Sequence, residues 1–235
     1  MLRRRSGIAT PRRSVCADPM PPLVIFIHGM WMPGHVAGAF RAPLECEFGF
    51  KVEVFHYRAG AERLDDVLER LQQRVVAHRP KVLHIVGHSL GGLLALNFFE
   101  RYPQQVPGYV VTLGSPLSGS RAAQSLNRWR FGRRMMGMAA SSELLLRQSA
   151  PRWLHAERRL GVIAGTRPIG VGRLLASFVE PNDGTVALTE TELPGMHERL
   201  VLPVTHFGMV RSRRVARIVG AFLRDGQFPG RHRSD

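Results

Sequence analysis

Residues 81–102 read KVLHIVGHSLGGLLALNFFERY, and they carry the most informative pattern in the chain. The apolar run at 82–86 has the length and composition of a buried strand. The sequence GHSLGG follows at 87–92, and the chain then stays apolar on most sides until Tyr102, before Pro103. We therefore predict a strand, a sharp glycine-rich turn and a helix over 89–102 that is buried against a sheet.

A serine at the tip of such a turn suits nucleophilic catalysis. The Ser89 hydroxyl is a poor nucleophile until a base takes its proton, so it must project toward a histidine. Gly87 and Gly91 flank it where a side chain would collide with the neighbouring strand and helix, and Gly92 allows closer packing. Two other interpretations stay open. One is a glycine-rich turn without chemistry, and the other is a dinucleotide site, which the absence of G-x-G-x-x-G disfavours.

The rest of the chain alternates between strand and helix patterns. Further apolar strands are predicted at 23–27, 52–57, 109–113, 160–164 and 200–204. Helical spacing of apolar residues predicts helices at 62–78 and around 215–223. Strands that alternate with helices, and that are apolar throughout, predict an α/β fold with a doubly wound, mostly parallel sheet.

Three segments depart from this alternation. Residues 117–159 combine Met, Leu and Trp with many Arg, and we expect them to form a helical cap insert over the sheet edge. Residues 1–20 are rich in Arg but lack the apolar run of a secretory signal, so we expect a basic, disordered N-terminal segment. The folded domain is then expected at 21–225, with a basic tail at 226–235.

The formal net charge of +15 is concentrated in residues 1–20, 117–160 and 211–235, and the remaining chain is close to neutral. This distribution disfavours nucleic-acid binding, because the charge lies outside the predicted catalytic region and few Trp and Tyr are available for stacking. The charge suits attraction to an anionic surface, and biased codon usage would also explain it. No apolar run approaches the roughly 18 residues of a membrane-spanning helix.

The two cysteines, Cys16 and Cys46, are isolated and show no spacing typical of a metal site. Cys16 lies in the predicted tail and Cys46 in a predicted loop, so nothing demands a disulfide, which suits a reducing compartment. We therefore expect a cytoplasmic protein without a metal or an organic cofactor.

Four motifs in this order give the sequence its resemblance to the α/β-hydrolase superfamily, and within it to bacterial lipases and related serine esterases. They are His28-Gly29 after the first predicted strand, GHSLGG at 87–92, NDGTV at 182–186 and THFG at 205–208. TLGSP at 112–116 also resembles the strand end that precedes the lid in such lipases. The likeness extends over about residues 22–225, most of the chain.

The resemblance implies a catalytic triad in the chain order Ser89, Asp183, His206. His206 would act as the general base, and Asp183 would hold its ring in the required tautomer. The backbone N–H of Leu90, after the nucleophile, and that of Met30, after His28-Gly29, would form the oxyanion hole.

Rivals to these assignments remain. His28 and His88 are alternatives to the predicted base, although we expect His28 to make structural hydrogen bonds and the His88 side chain to diverge from the serine hydroxyl. Glu180 is the local alternative to the predicted acid, since Asn-Asp-Gly is also strong turn chemistry. Trp31 is the alternative oxyanion donor. A short helix at 173–179 is expected in the excursion that leads to the acid.

We therefore expect a serine carboxylester hydrolase that works through an acyl-enzyme on a small-molecule or lipid ester. Contact with an anionic membrane surface is a further expectation, drawn from the basic, Met- and Leu-rich insert. An acyl thioesterase would use the same triad. A catalytically silent binding protein of the same fold is the alternative from another class, because fold alone does not fix function.

Overall fold

The computed structural model describes residues 20–30, 32, 38–59, 61–119, 151–154, 158–170 and 180–230. Within these residues six strands form one sheet in the order β2-β1-β3-β4-β5-β6. The strands are β1 Leu23–Ile27, β2 Lys51–Phe55, β3 Leu83–His88, β4 Val110–Leu113, β5 Leu160–Gly165 and β6 Glu198–Leu202. All neighbouring pairs are parallel, which confirms the predicted parallel α/β sheet.

Helices cover both faces of the sheet. They are α1 Gly38–Cys46, α2 Leu64–His78, α3 Leu90–Arg101, α4 His206–Arg211 and α5 Arg213–Asp225, with a short 3₁₀ helix at Thr189–Thr191. Alternate residues of β1 enter different cores: Ile25 joins residues of α2 and α3, whereas Phe26 joins residues of α1 and α5. Because β1 is buried along its whole length, both faces need apolar side chains, and the doubly wound prediction is confirmed.

The strand order places a switch point between β1 and β3. The chain passes from β1 outward to β2 and then returns to β3 on the other side of β1. In open parallel sheets, such a point leaves a crevice at the carboxyl ends of the strands, where ligands bind. The loop after β1 and the turn after β3 meet at this crevice.

Helices α1 and α4 were not predicted. Helix α1 has only nine residues and contains Pro43, so its sequence lacks a clear helical signal. The helix forms because Phe40 and Leu44, four residues apart, are both fully buried in the core shared with α5. The predicted loop around Cys46 is therefore wrong, since Cys46 ends α1 as an exposed free thiol.

Other boundaries differ from the prediction at the edges of the sheet. Strand β6 spans Glu198–Leu202 rather than 200–204. It lies at the edge of the sheet, where polar residues such as Glu198 and Arg199 are tolerated, so the apolar pattern in the sequence did not mark its start. Strand β2 ends at Phe55 rather than at residue 57. The predicted final helix is confirmed as α5, and Ser212 begins it by accepting a hydrogen bond from the Val215 N–H at 3.3 Å.

Most of the predicted cap insert at 117–159, and the predicted helix at 173–179, lie outside the described residues. The two ends of the insert are described. Leu117 and Trp153 are both buried in the core on the α3 side, and the Trp153 ring lies 5.2 Å from the ring of Phe99. The described residues at both ends of the predicted insert therefore pack into the core. None of the helices among the described residues is both long and apolar enough to cross a membrane.

We expect the stability of the protein to fall on acidification because of His84. This histidine of β3 is buried, and its Nδ1 accepts a hydrogen bond from the Tyr109 N–H at 2.9 Å. Burial lowers the pKa of His84 from 6.5 to about 4, although the hydrogen bond opposes this. Because the unfolded chain binds the proton first, stability is lost as the pH falls from 6.5 toward 4, by about 2 kcal/mol at pH 5.

Chemical unfolding of wild type and His84→Asn at pH 7 and pH 5 measures this contribution. The asparagine Oδ1 can replace Nδ1 as the acceptor of the backbone hydrogen bond but takes up no proton, so the free energy of unfolding should change less between the two pH values. An equal pH dependence in both proteins would assign the acid sensitivity to other groups.

Candidate active site

Ser89 occupies the turn between β3 and α3 in a backbone conformation that is rare for an L-amino acid. Its φ is 53° and its ψ is −120°, and among the described non-glycine residues only Arg79 shares a positive φ. Such a conformation costs on the order of 1–3 kcal/mol and occurs mostly where it serves function. The Ser89 N–H donates to the Leu113 carbonyl at 2.9 Å, which ties the turn to β4.

The glycines around Ser89 are required by close contacts with backbone and with the Ser115 side chain. A Cβ on Gly87 would lie 2.5 Å from the Gly91 carbonyl oxygen, and a Cβ on Gly91 would lie 2.1 Å from the Ile27 carbonyl oxygen. A Cβ on Gly92 would lie 2.1 Å from the Ser115 hydroxyl. The collisions expected from the sequence at Gly87 and Gly91 are therefore present. Because these glycines lack a Cβ, α3 can pack closely against the sheet.

Replacing Gly91 with alanine should destabilise the fold by about 3 kcal/mol or more, because the new methyl group meets backbone rather than a movable side chain. Gly38→Ala is the matched control, since a Cβ at Gly38 has no neighbour within 4 Å. This control should stay within about 1 kcal/mol of wild type. Urea unfolding of the three proteins provides the comparison. Equal stabilities would show that α3 can move away from β1.

Asp183 and His206 form a buried pair. The Asp183 Oδ2 lies 2.7 Å from the His206 Nδ1, and the two side chains are 1% and 3% exposed. The other carboxylate oxygen, Oδ1, accepts hydrogen bonds from the N–H groups of Thr185 and Val186 at 2.9 and 2.8 Å. Since a carboxylate only accepts, the His206 Nδ1 carries the proton, and in the neutral ring this tautomer leaves the lone pair on Nε2.

The chain around His206 fixes its position. The His206 N–H donates to the Asp183 carbonyl at 2.8 Å, so the two residues are joined through backbone as well as side chain. Thr205 caps α4, because its hydroxyl accepts a hydrogen bond from the Gly208 N–H at 3.0 Å. The predicted base therefore stands at the first residue of a capped helix, just beyond the end of β6.

The end of β4 brings Ser89 and the Asp183–His206 pair to one place. The Leu113 carbonyl accepts from the Ser89 N–H. Gly114 follows with a φ of +54°, and a Cβ there would lie 2.8 Å from the Asp183 Oδ2 and 3.0 Å from the His206 Nδ1. Two successive residues of one strand end thus contact both parts of the predicted triad, and no side chain fits at Gly114.

The loop after β1 lies against the nucleophile turn. A Cβ on Gly29 would lie 3.0 Å from the Ser89 Cβ, so this loop passes directly over the serine. Met30 follows and is partly buried against the core on the α3 side. Leu90 is the first residue of α3, where a backbone N–H has no partner within the helix. Trp31, the alternative donor, lies outside the described residues.

Tyr57, which no sequence pattern marked as functional, supports this loop. Its hydroxyl donates to the His28 carbonyl at 2.9 Å, and its ring stacks on the His28 ring at 4.7 Å. The His28 Nδ1 donates to the Gly29 carbonyl at 2.8 Å, in agreement with the structural hydrogen bonds expected for it. Burial lowers the pKa of His28 and raises that of the Tyr57 hydroxyl. No local pattern could have linked Tyr57 to a loop 29 residues away.

The architecture is thus a parallel α/β sheet with a strained serine turn after β3, at the switch point, and a buried acid–histidine pair beyond the end of β4. Residues 24–223 match the alpha/beta hydrolase family, and the chain belongs to that family. The assignment supports a hydrolase. No curated protein matches the chain significantly. Within the described part of the chain, no group of three or more His, Cys, Asp or Glu side chains is arranged to hold a metal ion.

Solved structures share the fold at low sequence identity. The lipase BlEst2 of Bacillus licheniformis in propeptide form matches with a TM-score of 0.68 and 16% identity, over 92% of this chain and 53% of the lipase. The chain thus spans about half the length of that lipase. The putative non-heme bromoperoxidase BpoC from Mycobacterium tuberculosis H37Rv gives a TM-score of 0.62 and 14% identity, over 88% and 93% of the two chains. A pyrethroid hydrolase from Sphingobium faniae JZ-2 gives 0.55 and 15%, over 88% and 98%.

Proposed function

We propose that this protein is a serine carboxylester hydrolase with Ser89, Asp183 and His206 as its triad. The observation that carries the proposal is the convergence at the end of β4. The strained serine turn and the buried acid–histidine pair contact consecutive residues there, Leu113 and Gly114. A strained serine and a histidine whose neutral ring has its lone pair on Nε2, both held at the end of the same strand, suit the activation of a hydroxyl.

The reaction would proceed by acyl transfer to water. Ser89 attacks the ester carbonyl while the His206 Nε2 takes the hydroxyl proton, and Asp183 stabilises the imidazolium that forms. The N–H groups of Met30 and Leu90 stabilise the tetrahedral oxyanion. His206 then gives its proton to the leaving alcohol, and water releases the acyl group from Ser89 by the same steps in reverse order.

The proposed substrate is a small-molecule or lipid ester. Support for a lipid comes from Phe207, which is 41% exposed. Phe207 follows His206 in the chain, and the two rings lie 5.6 Å apart. Arg211, four residues later on the same side of α4, is also exposed. An apolar ring with a cation beside it would suit an anionic lipid surface, and faster turnover of a long-chain ester in anionic than in neutral vesicles would support this contact.

Labelling with a fluorophosphonate probe, followed by turnover of p-nitrophenyl esters of increasing chain length, tests the proposal. We expect covalent labelling and ester turnover, with the chain-length profile separating short esters from lipid-like ones. Turnover of acyl thioesters in preference to the matching esters would change the assignment to a thioesterase. A protein that neither labels nor turns over esters or thioesters would contradict the triad, and a binding function would replace it.

A further inference from the structure

His88 precedes the nucleophile in the chain and contacts the predicted base. It is the last residue of β3, directly before Ser89, and it is 1% exposed. Its Nε2 lies 3.0 Å from the backbone carbonyl oxygen of His206, and the two imidazole rings are 4.6 Å apart. The side chain is thus engaged with the backbone of the base, and the reaction proposed above gives it no role.

The hydrogen-bond geometry defines the protonation state of His88. A carbonyl oxygen only accepts, so the His88 Nε2 must carry the proton that is shared with His206. Burial, together with the neighbouring His206 ring, holds the pKa of His88 well below its usual value, so the ring stays neutral. A neutral ring protonated at Nε2 leaves a lone pair on Nδ1, which has no hydrogen-bond partner in the structure.

The other side of the ring faces the loop after β1. A Cβ on Gly29 would lie 2.9 Å from the His88 Nδ1, so the imidazole fits between this loop and His206. The base is then held at both ends of its residue: its N–H donates to the Asp183 carbonyl, and its carbonyl accepts from His88. The residues joined by the second bond are 118 positions apart in the chain.

We propose that His88 is a positioning residue that fixes His206 relative to Ser89. The inference rests on the proposed esterase function. Because His88 and Ser89 are consecutive, a hydrogen bond from His88 to the His206 carbonyl sets the distance between the nucleophile and the base through a single peptide unit. Proton transfer requires that distance to be held closely, and a displacement of about 1 Å can cost on the order of 100-fold in rate.

Three substitutions of the full chain separate the hydrogen bond from the bulk of the ring. His88→Phe keeps an aromatic ring but loses the donor. His88→Gln can place an amide N–H where Nε2 stands, whereas His88→Asn carries the same amide one carbon nearer the backbone. We expect kcat for a p-nitrophenyl ester to fall roughly 10- to 100-fold in the Phe and Asn variants, with KM within about threefold of wild type. The Gln variant should stay within about threefold of wild type in both constants.

If His88 had a purely structural role, the variants would lose activity in proportion to their loss of stability. The Gln variant would then not be the only one to keep the kcat of wild type. Tm is therefore measured for each. Wild-type kcat in His88→Asn, or equal losses in the Gln and Asn variants, would overturn the positioning role while ester turnover by wild type leaves the proposed function intact. Should His88→Phe fail to fold, the Gln and Asn pair decides. An inactive wild type would refute both proposals.

Discussion

Ser89→Ala is expected to abolish labelling by a fluorophosphonate probe and to lower ester turnover by about 10⁴-fold or more. The alanine keeps the Cβ, so the turn between β3 and α3 and its contact with Gly29 can persist. What is lost is the one oxygen that forms the acyl-enzyme. Any residual rate over water would come from binding and from the proposed oxyanion donors, Met30 and Leu90.

Ser118→Ala is the control for this loss. Ser118 is exposed just beyond the end of β4, and its hydroxyl donates to the Thr189 carbonyl at 3.1 Å. This variant should label like wild type and retain turnover within about twofold. If Ser89→Ala still labels, mass spectrometry of the labelled peptide would locate another nucleophile, and the triad would be wrong in its first member.

The features that the sequence predicted are those set by local pattern. Strand β3, the Ser89 turn and helix α3 are contiguous, and each depends on residues within a few positions of itself. An apolar run, two glycines at fixed offsets and a second apolar run are sufficient to define them. The buried parallel strands were predictable for the same reason, because strands covered on both faces are apolar throughout.

The features that the sequence did not predict depend on distant partners. Helix α1 forms around Pro43 because Phe40 and Leu44 find a core made partly by α5, far along the chain. Tyr57 supports the loop after β1, and His88 bonds to the backbone of His206, through contacts that span 29 and 118 residues. Such pairings follow from the strand order, which places β1, β3 and β4 side by side, and not from any local pattern.

Asp183→Asn is expected to lower kcat/KM for esters by about 10⁴-fold at neutral pH while leaving the fold intact. The amide oxygen can still accept the two backbone N–H groups that Oδ1 accepts now, from Thr185 and Val186. The amide nitrogen would then face the His206 Nδ1 in place of Oδ2. Because an amide N–H donates, the Nδ1 must become the acceptor and the ring proton must move to Nε2. A protonated Nε2 cannot take the proton of the Ser89 hydroxyl.

The matched control is Glu180→Gln, the same chemical change at the rival acid three residues earlier. Glu180 is partly buried, and its Oε2 accepts a hydrogen bond from the Thr189 hydroxyl at 2.7 Å, whereas the carboxylate bonded to the His206 ring belongs to Asp183. We therefore expect Glu180→Gln to keep turnover within about threefold of wild type. Steady-state kinetics and urea unfolding of both variants separate loss of catalysis from loss of fold. A large loss of kcat/KM in Glu180→Gln together with a small loss in Asp183→Asn would assign the role of the acid to Glu180. Replacing a carboxylate by an amide lowers the rate this strongly only at the residue that holds the tautomer of the imidazole.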